Sequence, residues 1–481
     1  MKFRALLCVA VVLATCRASG RAADAPLRLI EIAELHRKVD PVLLANLSGP
    51  PDVAARAALA VGRTKDPAGA AALRVTLDRH DDAVRAMAAF GLGLLEDGPS
   101  LERLRSMARF DPNSAVRYAA ADAVGRIVEA TPALGTRPVG ADVLAVARAD
   151  ADPVVRAHAV AALAAFAATP LAPNVARALE RIESRDPNAE VRWHAAWALY
   201  RGYAALADET FLVRASRDRN ELVRVETLRA IGRRGDARLT PAARAAQNDA
   251  SWRVQLEARE ALKRLAKTPP TEHLTAMPPG IHLPAVASAA CAVANVAAVP
   301  PKPKTAPPPA TFPLPSYVPA TTAALMNGPQ IAKHPRVEIC TSRGPVVVRL
   351  YPEWAPSTVA NFIALARSGY FDGNRWFRIV PDFVVQTGDP TNTGDGDAGY
   401  TIPAEENPVE QRIGVIAMGL DYKDSKAVRD SAGTQFYVTL SPQLHLDRSF
   451  TVFGEIESGF DVLANLIESD TMTVVRPIAD D

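Results

Sequence analysis

Side chains able to do chemistry are thinly spread over most of this chain, and their spacing excludes more than it admits. Of the four cysteines, Cys8 sits in an apolar N-terminal run, Cys16 just after it, Cys291 in an Ala-rich stretch and Cys340 in a strand-like one. No paired disulfide framework is expected from that distribution. No Cys or His spacing matches a tetrahedral metal site, so no metal ligand and no cofactor is assigned. The run Gly394-Asp395-Gly396-Asp397-Ala398-Gly399 superficially resembles a phosphate or calcium loop, but its acidic residues oppose phosphate, and it reads as a surface loop. What remains is a set of polar residues among aromatic and aliphatic ones in the last third: Arg378 and Gln386 in WFRIVPDFVVQTGD, Gln435 in TQFYVTL, and His445 in LHLDRSFTVFGEI. A guanidinium in such company is a fixed charge carrying several donors.

The elements that must position these residues begin near Val337. VEICTS, a tight turn and PVVVRLY read as a β-hairpin. APSTVANFIALARSGY (355–370) reads as an amphipathic helix with Pro near its start and Gly at its end. Further strand-like segments follow, with a last helix at Phe460 to Glu468. Many strands with one early and one late helix predict a closed β-barrel capped by helices.

A different pattern fills residues 50–270: an Asp-rich turn, Val-Arg, then small apolar residues at helical spacing. Its aligned arginines are Arg85, Arg117, Arg156, Arg192, Arg224 and Arg253, and Asp52 with Arg56 marks a degenerate first unit. Asp caps the second helix of each unit, Pro fits its first turn, and the Ala/Leu/Val stripe is the buried face. Each Arg is expected to reach an Asp turn of its own or the neighbouring unit, making a ladder. The pattern resembles HEAT-type repeats, which implies an all-α solenoid that scaffolds or binds a protein partner.

The chain therefore divides into residues 1–23, a signal segment; 27–267, the solenoid; 268–335, an Ala/Pro-rich linker; and 336–481, the strand-rich domain. In the first segment Lys2 and Arg4 precede the apolar run Ala5 to Thr15, too short to span a bilayer and suited to export. Leu13-Ala14-Thr15-Cys16 resembles a bacterial lipobox, which makes Cys16 a candidate for lipidation and the protein periplasmic or lipid-anchored in the envelope. Net charge is +2, yet residues 51–270 hold 33 Lys/Arg against 27 Asp/Glu and residues 336–481 hold 12 against 21. Opposite excesses could let the two parts dock or steer different partners. The small basic excess lacks interleaved aromatics and gives no sign of nucleic acid.

Over residues 336–470 the segments resemble cyclophilins, the peptidyl-prolyl cis/trans isomerases. The family's F-H-R-x-I-P-x-F-x-x-Q-G-G-D segment stands here as WFRIVPDFVVQTGD, its S-Q-F-F strand as TQFY, and its W/H-L-D-x-x-x-x-V-F-G segment as HLDRSFTVFG, behind the helix APSTVANF. The resemblance implies that Arg378 is the catalytic arginine. It puts Phe383, Val384, Tyr437 and Leu446 on the proline pocket and Gln386 on the substrate backbone. Gly419 and Leu420 lie on the edge that pairs with the substrate chain, Gln435 beside it, and His445 and Phe450 on the rim. It also implies proline-containing polypeptide clients. The departures are Phe377 for the histidine before the arginine, Val384 for a larger methionine, His445 for the commonest rim tryptophan, and Phe450 for a histidine or tyrosine; the missing indole implies weakened cyclosporin affinity. A binding module that has lost turnover, or a chaperone working through its repeats, are the rival functions.

Overall fold

The computed structural model describes residues 25–267, Cys291 and 334–478. The signal segment with Cys16 and all of the linker up to 333 except Cys291 lie outside the described residues.

Helix pairs fill 41–265. The second helices, Pro51–Arg63, Asp82–Leu94, Ser114–Ala130, Pro153–Ala162, Ala189–Ala198, Glu221–Arg234 and Trp252–Leu265, stack on one another, as the small-residue stripe demands. Gly62 shows why: a Cβ there would stand 2.5 Å from the Gly91 Cα, so the first two second helices touch backbone to backbone.

The expected ladder is present and continuous. Arg85 pairs with Asp111 at 2.9 Å, Arg117 with Asp150 at 2.6 Å, Arg156 with Asp186 at 2.9 Å, Arg192 with Asp218 at 3.1 Å and Arg224 with Asp249 at 2.7 Å. Each carboxylate belongs to the next repeat, while the same guanidinium donates to carbonyls of its own turn, as Arg156 Nη1 does to the Asp150 oxygen at 2.8 Å. The capping expectation holds for Asp152, which caps its helix with Pro153 in the first turn, and is corrected elsewhere: the ladder Asp is occupied by its Arg, and the cap falls two residues later, on Asn113, Asn188 and Asn220. Arg56 pairs with Glu34 at 2.5 Å.

The strand-rich domain is an eight-stranded antiparallel sheet in the order β10-β1-β2-β9-β5-β8-β4-β3, with a small separate hairpin β6-β7. The strands are β1 Arg336–Thr341, β2 Gly344–Leu350, β3 Arg378–Val380, β4 Val384–Thr387, β5 Val415–Met418, β6 Tyr422–Lys423, β7 Lys426–Ala427, β8 Phe436–Thr439, β9 Val452–Ser458 and β10 Met472–Ile478. The ladder does not run on from β3 to β10. The two edges meet only through the Arg375–Thr471 bridge and the hydrogen bonds beside it, so the sheet is curled rather than the closed barrel expected. The short β3 accounts for this, since three residues cannot carry pairing along the facing edge.

The two domains are docked along their lengths. Arg63, fully buried, donates to the carbonyls of Glu406 at 2.5 Å and Trp354 at 2.6 Å. Arg37 reaches Asp430 at 2.5 Å, His158 pairs with Glu410, and Arg448 bonds the Tyr118 hydroxyl and faces Asp122 at 3.4 Å. Trp354 belongs to the solenoid's own apolar core, with Tyr351 and Val409 against it, and Leu444 packs against the cluster of Trp193, Ala196 and Val223. Cys291 forms a disulfide with Cys340 of β1, their Cα atoms 5.5 Å apart. That overturns the expectation that the cysteines stay unpaired: 49 residues separate the two in sequence, and only the fold brings them within reach.

Burial works to raise the Asp150 carboxyl, but the hydrogen bond from Arg117 and the Asp152 amide outweigh it and hold its pKa below the ordinary value. A carboxyl depressed in the folded state lends stability above its unfolded pKa of about 4, and that stability is lost as pH falls through the folded value. Asp150→Asn is therefore expected to lower the urea midpoint of the solenoid transition at pH 7 and to flatten its decline below pH 4. An unchanged pH profile between 3 and 7 in the variant would remove the ladder from the stability account.

Candidate functional site

The β3-β4 hairpin sets the site through its register. Arg378 stands opposite Gln386, Gln386 opposite Tyr437 of β8, and Tyr437 opposite Ala417 of β5. Directly opposed residues share a face, and residues two apart on a strand share it too. Arg378, Val384, Gln386, Tyr437, Ala417 and Val415 therefore line one side of the sheet. Their neighbours Val385, Ile416, Phe436 and Val438 enter the domain's main core on the other. On the outer side Val384, Tyr437, Leu446, Phe450 and Val452 form a second apolar cluster, with Phe383 and Leu420 at its margin. All the aromatic and aliphatic residues assigned to the pocket thus come together on one outward face.

The polar residues are wired in sequence. Arg378 Nη1 donates to Gln386 Oε1 at 3.2 Å, Gln386 Nε2 to Gln435 Oε1 at 3.0 Å, and Gln435 Nε2 to the carbonyls of Gly394 at 2.8 Å and Gly396 at 3.0 Å. The two glutamines are oriented by this relay, each amide having one possible direction. Arg378 is exposed, with its guanidinium carbon 5.5 Å from the centroid of the Phe383 ring; desolvation by the surrounding groups draws its pKa down. Phe383 stacks on His445 at 5.8 Å, and Tyr437 meets Phe450 edge-on at 5.8 Å. Gly419 lies against Gln386 Nε2 and Gln435, where a Cβ would come within 3.3 Å of both, and Leu420 follows it at the margin. His445 is displaced to a low pKa of about 4 by desolvation first, then by Arg201 and Arg229 of the solenoid, and is neutral at pH 7.

Several contributors were not anticipated. Gln411 accepts from the Tyr437 hydroxyl at 3.2 Å. The Gly/Asp loop is more than surface: Asp389 accepts from the amides of Thr391, Thr393 and Gly394, and so presents the carbonyls that hold Gln435. Gly396 is required there, since a Cβ would fall 1.9 Å from Asp389 Oδ1. The largest omission is Asp382. It forms the hairpin turn at a φ of 57°, a left-handed conformation Asp tolerates better than most. Its carbonyl accepts from Ser441 Oγ at 2.5 Å, and its buried carboxylate receives Arg253 Nε at 2.9 Å and Arg229 Nη2 at 3.0 Å, both from the solenoid. Burial outweighs the pull of Arg229 and Arg253 and holds that carboxyl raised, at about 6, so it is mostly ionised at neutral pH. A repeat-like signal, Asp two residues from an apolar strand, was present in the sequence, but nothing linked it to arginines 129 and 153 residues away.

A family model for cyclophilin type peptidyl-prolyl cis-trans isomerases matches residues 336–481, and one for HEAT repeats matches 41–125. The chain is 43% identical over 129 residues to peptidyl-prolyl cis-trans isomerase B of Bacillus subtilis, covering 26% of this chain and 86% of that relative. It is 36% identical over 157 residues to peptidyl-prolyl cis-trans isomerase-like 1 of Mus musculus, covering 32% and 91%. A crystal structure of a cyclophilin type isomerase of Cryptosporidium parvum aligns with a TM-score of 0.29 at 24% identity over 31% of this chain and 99% of that one.

Losing two charge-assisted hydrogen bonds, each about 1.5–3 kcal/mol, should let the hairpin turn open locally. Asp382→Ala is expected to speed amide deuterium uptake in residues 376–389 and 440–446 about tenfold or more, with uptake in the ladder turns before Arg192 unaltered. Uptake equal to wild type would mean that the sheet alone holds the turn.

Proposed function

We propose, for a chain that belongs to the cyclophilin-type peptidyl-prolyl cis-trans isomerases through its residues 336–481, that Arg378 carries the catalysis and that the outward apolar cluster grips the proline. The observation that carries this reading is the placing of the Arg378 guanidinium over the Phe383 ring, at the margin of the apolar cluster of Val384, Tyr437, Leu446 and Phe450. The barrier to turning an X–Pro amide is ~18–20 kcal/mol because resonance holds it planar, and uncatalysed exchange takes roughly tens of seconds. No bond breaks, so neither nucleophile nor metal is called for. As the amide twists, the prolyl nitrogen pyramidalises and regains a lone pair. A donor aimed at that nitrogen interacts more strongly with the twisted than with the planar form, which is what lowers a barrier.

Each remaining residue supports that event. The ring held between Phe383, Tyr437 and Leu446 stays fixed while the preceding carbonyl swings, and the apolar surroundings exclude water, strengthening the guanidinium's field. Gln386, pinned by Gln435 and through it by the Gly394 and Gly396 carbonyls, holds the neighbouring substrate backbone. The bare edge at Gly419, followed by Leu420, receives the chain before the proline, since no side chain stands between it and Gln386. His445, neutral, forms rim without adding charge.

The clients are exported or envelope proteins, whose folding the enzyme assists. The apolar run behind Lys2 and Arg4 supports export, and the Cys291–Cys340 disulfide supports an oxidising compartment. Cys16 is the point of lipid attachment if the lipobox-like sequence is processed. The solenoid recruits clients or a protein partner; its second helices face the isomerase domain, which leaves the outer, first-helix side for that role.

Arg378→Ala in the full chain is expected to lower kcat/KM on a proline tetrapeptide about a hundredfold, with the helical signal preserved; equal turnover in the variant would end the catalytic account. Mass spectrometry of the chain recovered from an exporting bacterial host is expected to show loss of at least residues 1–15. A chain still beginning at Met1 would withdraw the export reading.

A further inference from the structure

The apolar cluster that would hold the proline lies along β4, and one of its two ends is backed by the solenoid. At one end Gln386 and Gly419 lie together. At the other, Phe383 stacks on His445, and the intervening backbone makes these ends about 10 Å apart at ~3.3 Å per residue. If the chain before the proline pairs at Gly419, as proposed above, the residues after it leave over His445. His445 is exposed, but the turn that carries it is backed by the solenoid. His445 sits in the short turn Leu444–Leu446, whose first residue packs, as Trp197 does, against the cluster of Trp193, Ala196 and Val223 on the solenoid.

Trp193, Trp197 and Arg201 are four residues apart and follow one helical face, the last within the π-helical turn Leu199–Tyr203 that prolongs the helix. Single π turns of this kind recur at functional sites. Arg201 is exposed and makes no ion pair among the described residues, unlike Arg229 beside it, which is matched by Glu226, Glu257 and Asp382. Arg201 stands near enough to the rim to add, after desolvation, to the lowering of the His445 pKa. Nothing on the catalytic domain explains an unmatched cation at this exit, whereas a passing carboxylate would.

We infer that the solenoid forms the outer wall of the substrate site, and that Arg201 selects X–Pro segments carrying an acidic residue shortly after the proline. The inference rests on the isomerase reading of the Arg378 site and deepens it by naming a substrate class. An exposed charge pair is worth ~0.2–1 kcal/mol, so the preference is small in free energy and visible in rate. It is also screened by salt.

The test compares proline peptides identical but for Glu or Gln at the first, second or third position after proline, using the full chain. Wild type is expected to favour at least one Glu peptide over its Gln twin in kcat/KM by about two- to fivefold at low salt, with the ratio falling towards one in 0.5 M NaCl. Arg201→Ala should bring the ratio to about one, and Arg201→Glu should invert it. A wild-type ratio of one at every position, or a ratio that survives Arg201→Ala, overturns the inference while leaving the isomerase reading intact. Failure of wild type to turn over either peptide overturns both, and the Arg378→Ala comparison identifies that case.

Discussion

The structure depends on one carboxylate reached by two guanidinium groups. Along the solenoid each repeat arginine is matched by the aspartate of the repeat that follows, and this holds from Arg85 to Arg224. A stack of this kind must end, and its last arginine then has no successor. Arg253 is that residue, and its aspartate is supplied by Asp382 of the isomerase domain. The catalytic domain thus takes the place of a capping repeat, which an open array requires because its final unit cannot bury its own face. Since Asp382 is also the turn of the β3-β4 hairpin, the end of the scaffold and the wall of the proline hollow are one object.

Apolar contact and ion pairing play different parts in that docking. Association is favoured by Trp354, Tyr351 and Val409 against the solenoid core and by Leu444 against the cluster of Trp193, Ala196 and Val223. Buried ion pairs gain little net stability, because desolvation offsets much of the attraction, but breaking one partner is costly. Arg63, Arg253 and Arg448 each lose that match if the domains slide by one repeat. The pairs therefore act on register more than on affinity. The bulk charge excesses foretell only part of this, since Arg448–Asp122 carries both of its charges in the sense opposite to the domain averages.

What could be read in advance follows from range. The helix pairs, the arginine ladder and the strands are written in periodicities a few residues long, and the outward site face follows from strand alternation once Arg378, Gln386 and Tyr437 are placed on neighbouring strands. The motif resemblance named those residues, and they do come together. The Cys291–Cys340 bond, the Asp382 clamp and the domain docking join residues 49, 129 and up to several hundred positions apart. No local pattern encodes which distant partner a lone Cys or Asp will meet. The open edge between β3 and β10 was missed for a different reason: strand count suggests closure, but closure depends on the length of the last strand, and β3 has three residues.

A cyclophilin-like site standing alone offers its hollow to any proline segment that can lie along β4. Here the hollow is approached between two walls, because the scaffold that holds the Asp382 turn continues past His445. The clamp and the exit wall cannot be separated. Helices that place Arg229 and Arg253 on Asp382 belong to the same rigid stack that places Trp193, Trp197 and Arg201 beside the rim, and the ladder between Arg192, Asp218, Arg224 and Asp249 ties one to the other. Any change that relaxes this stretch of the ladder moves the far wall of the site as well as its near support. On the inference drawn above, the repeats form part of the substrate-recognition surface, and their pitch then constrains which chains can leave the site and in which direction.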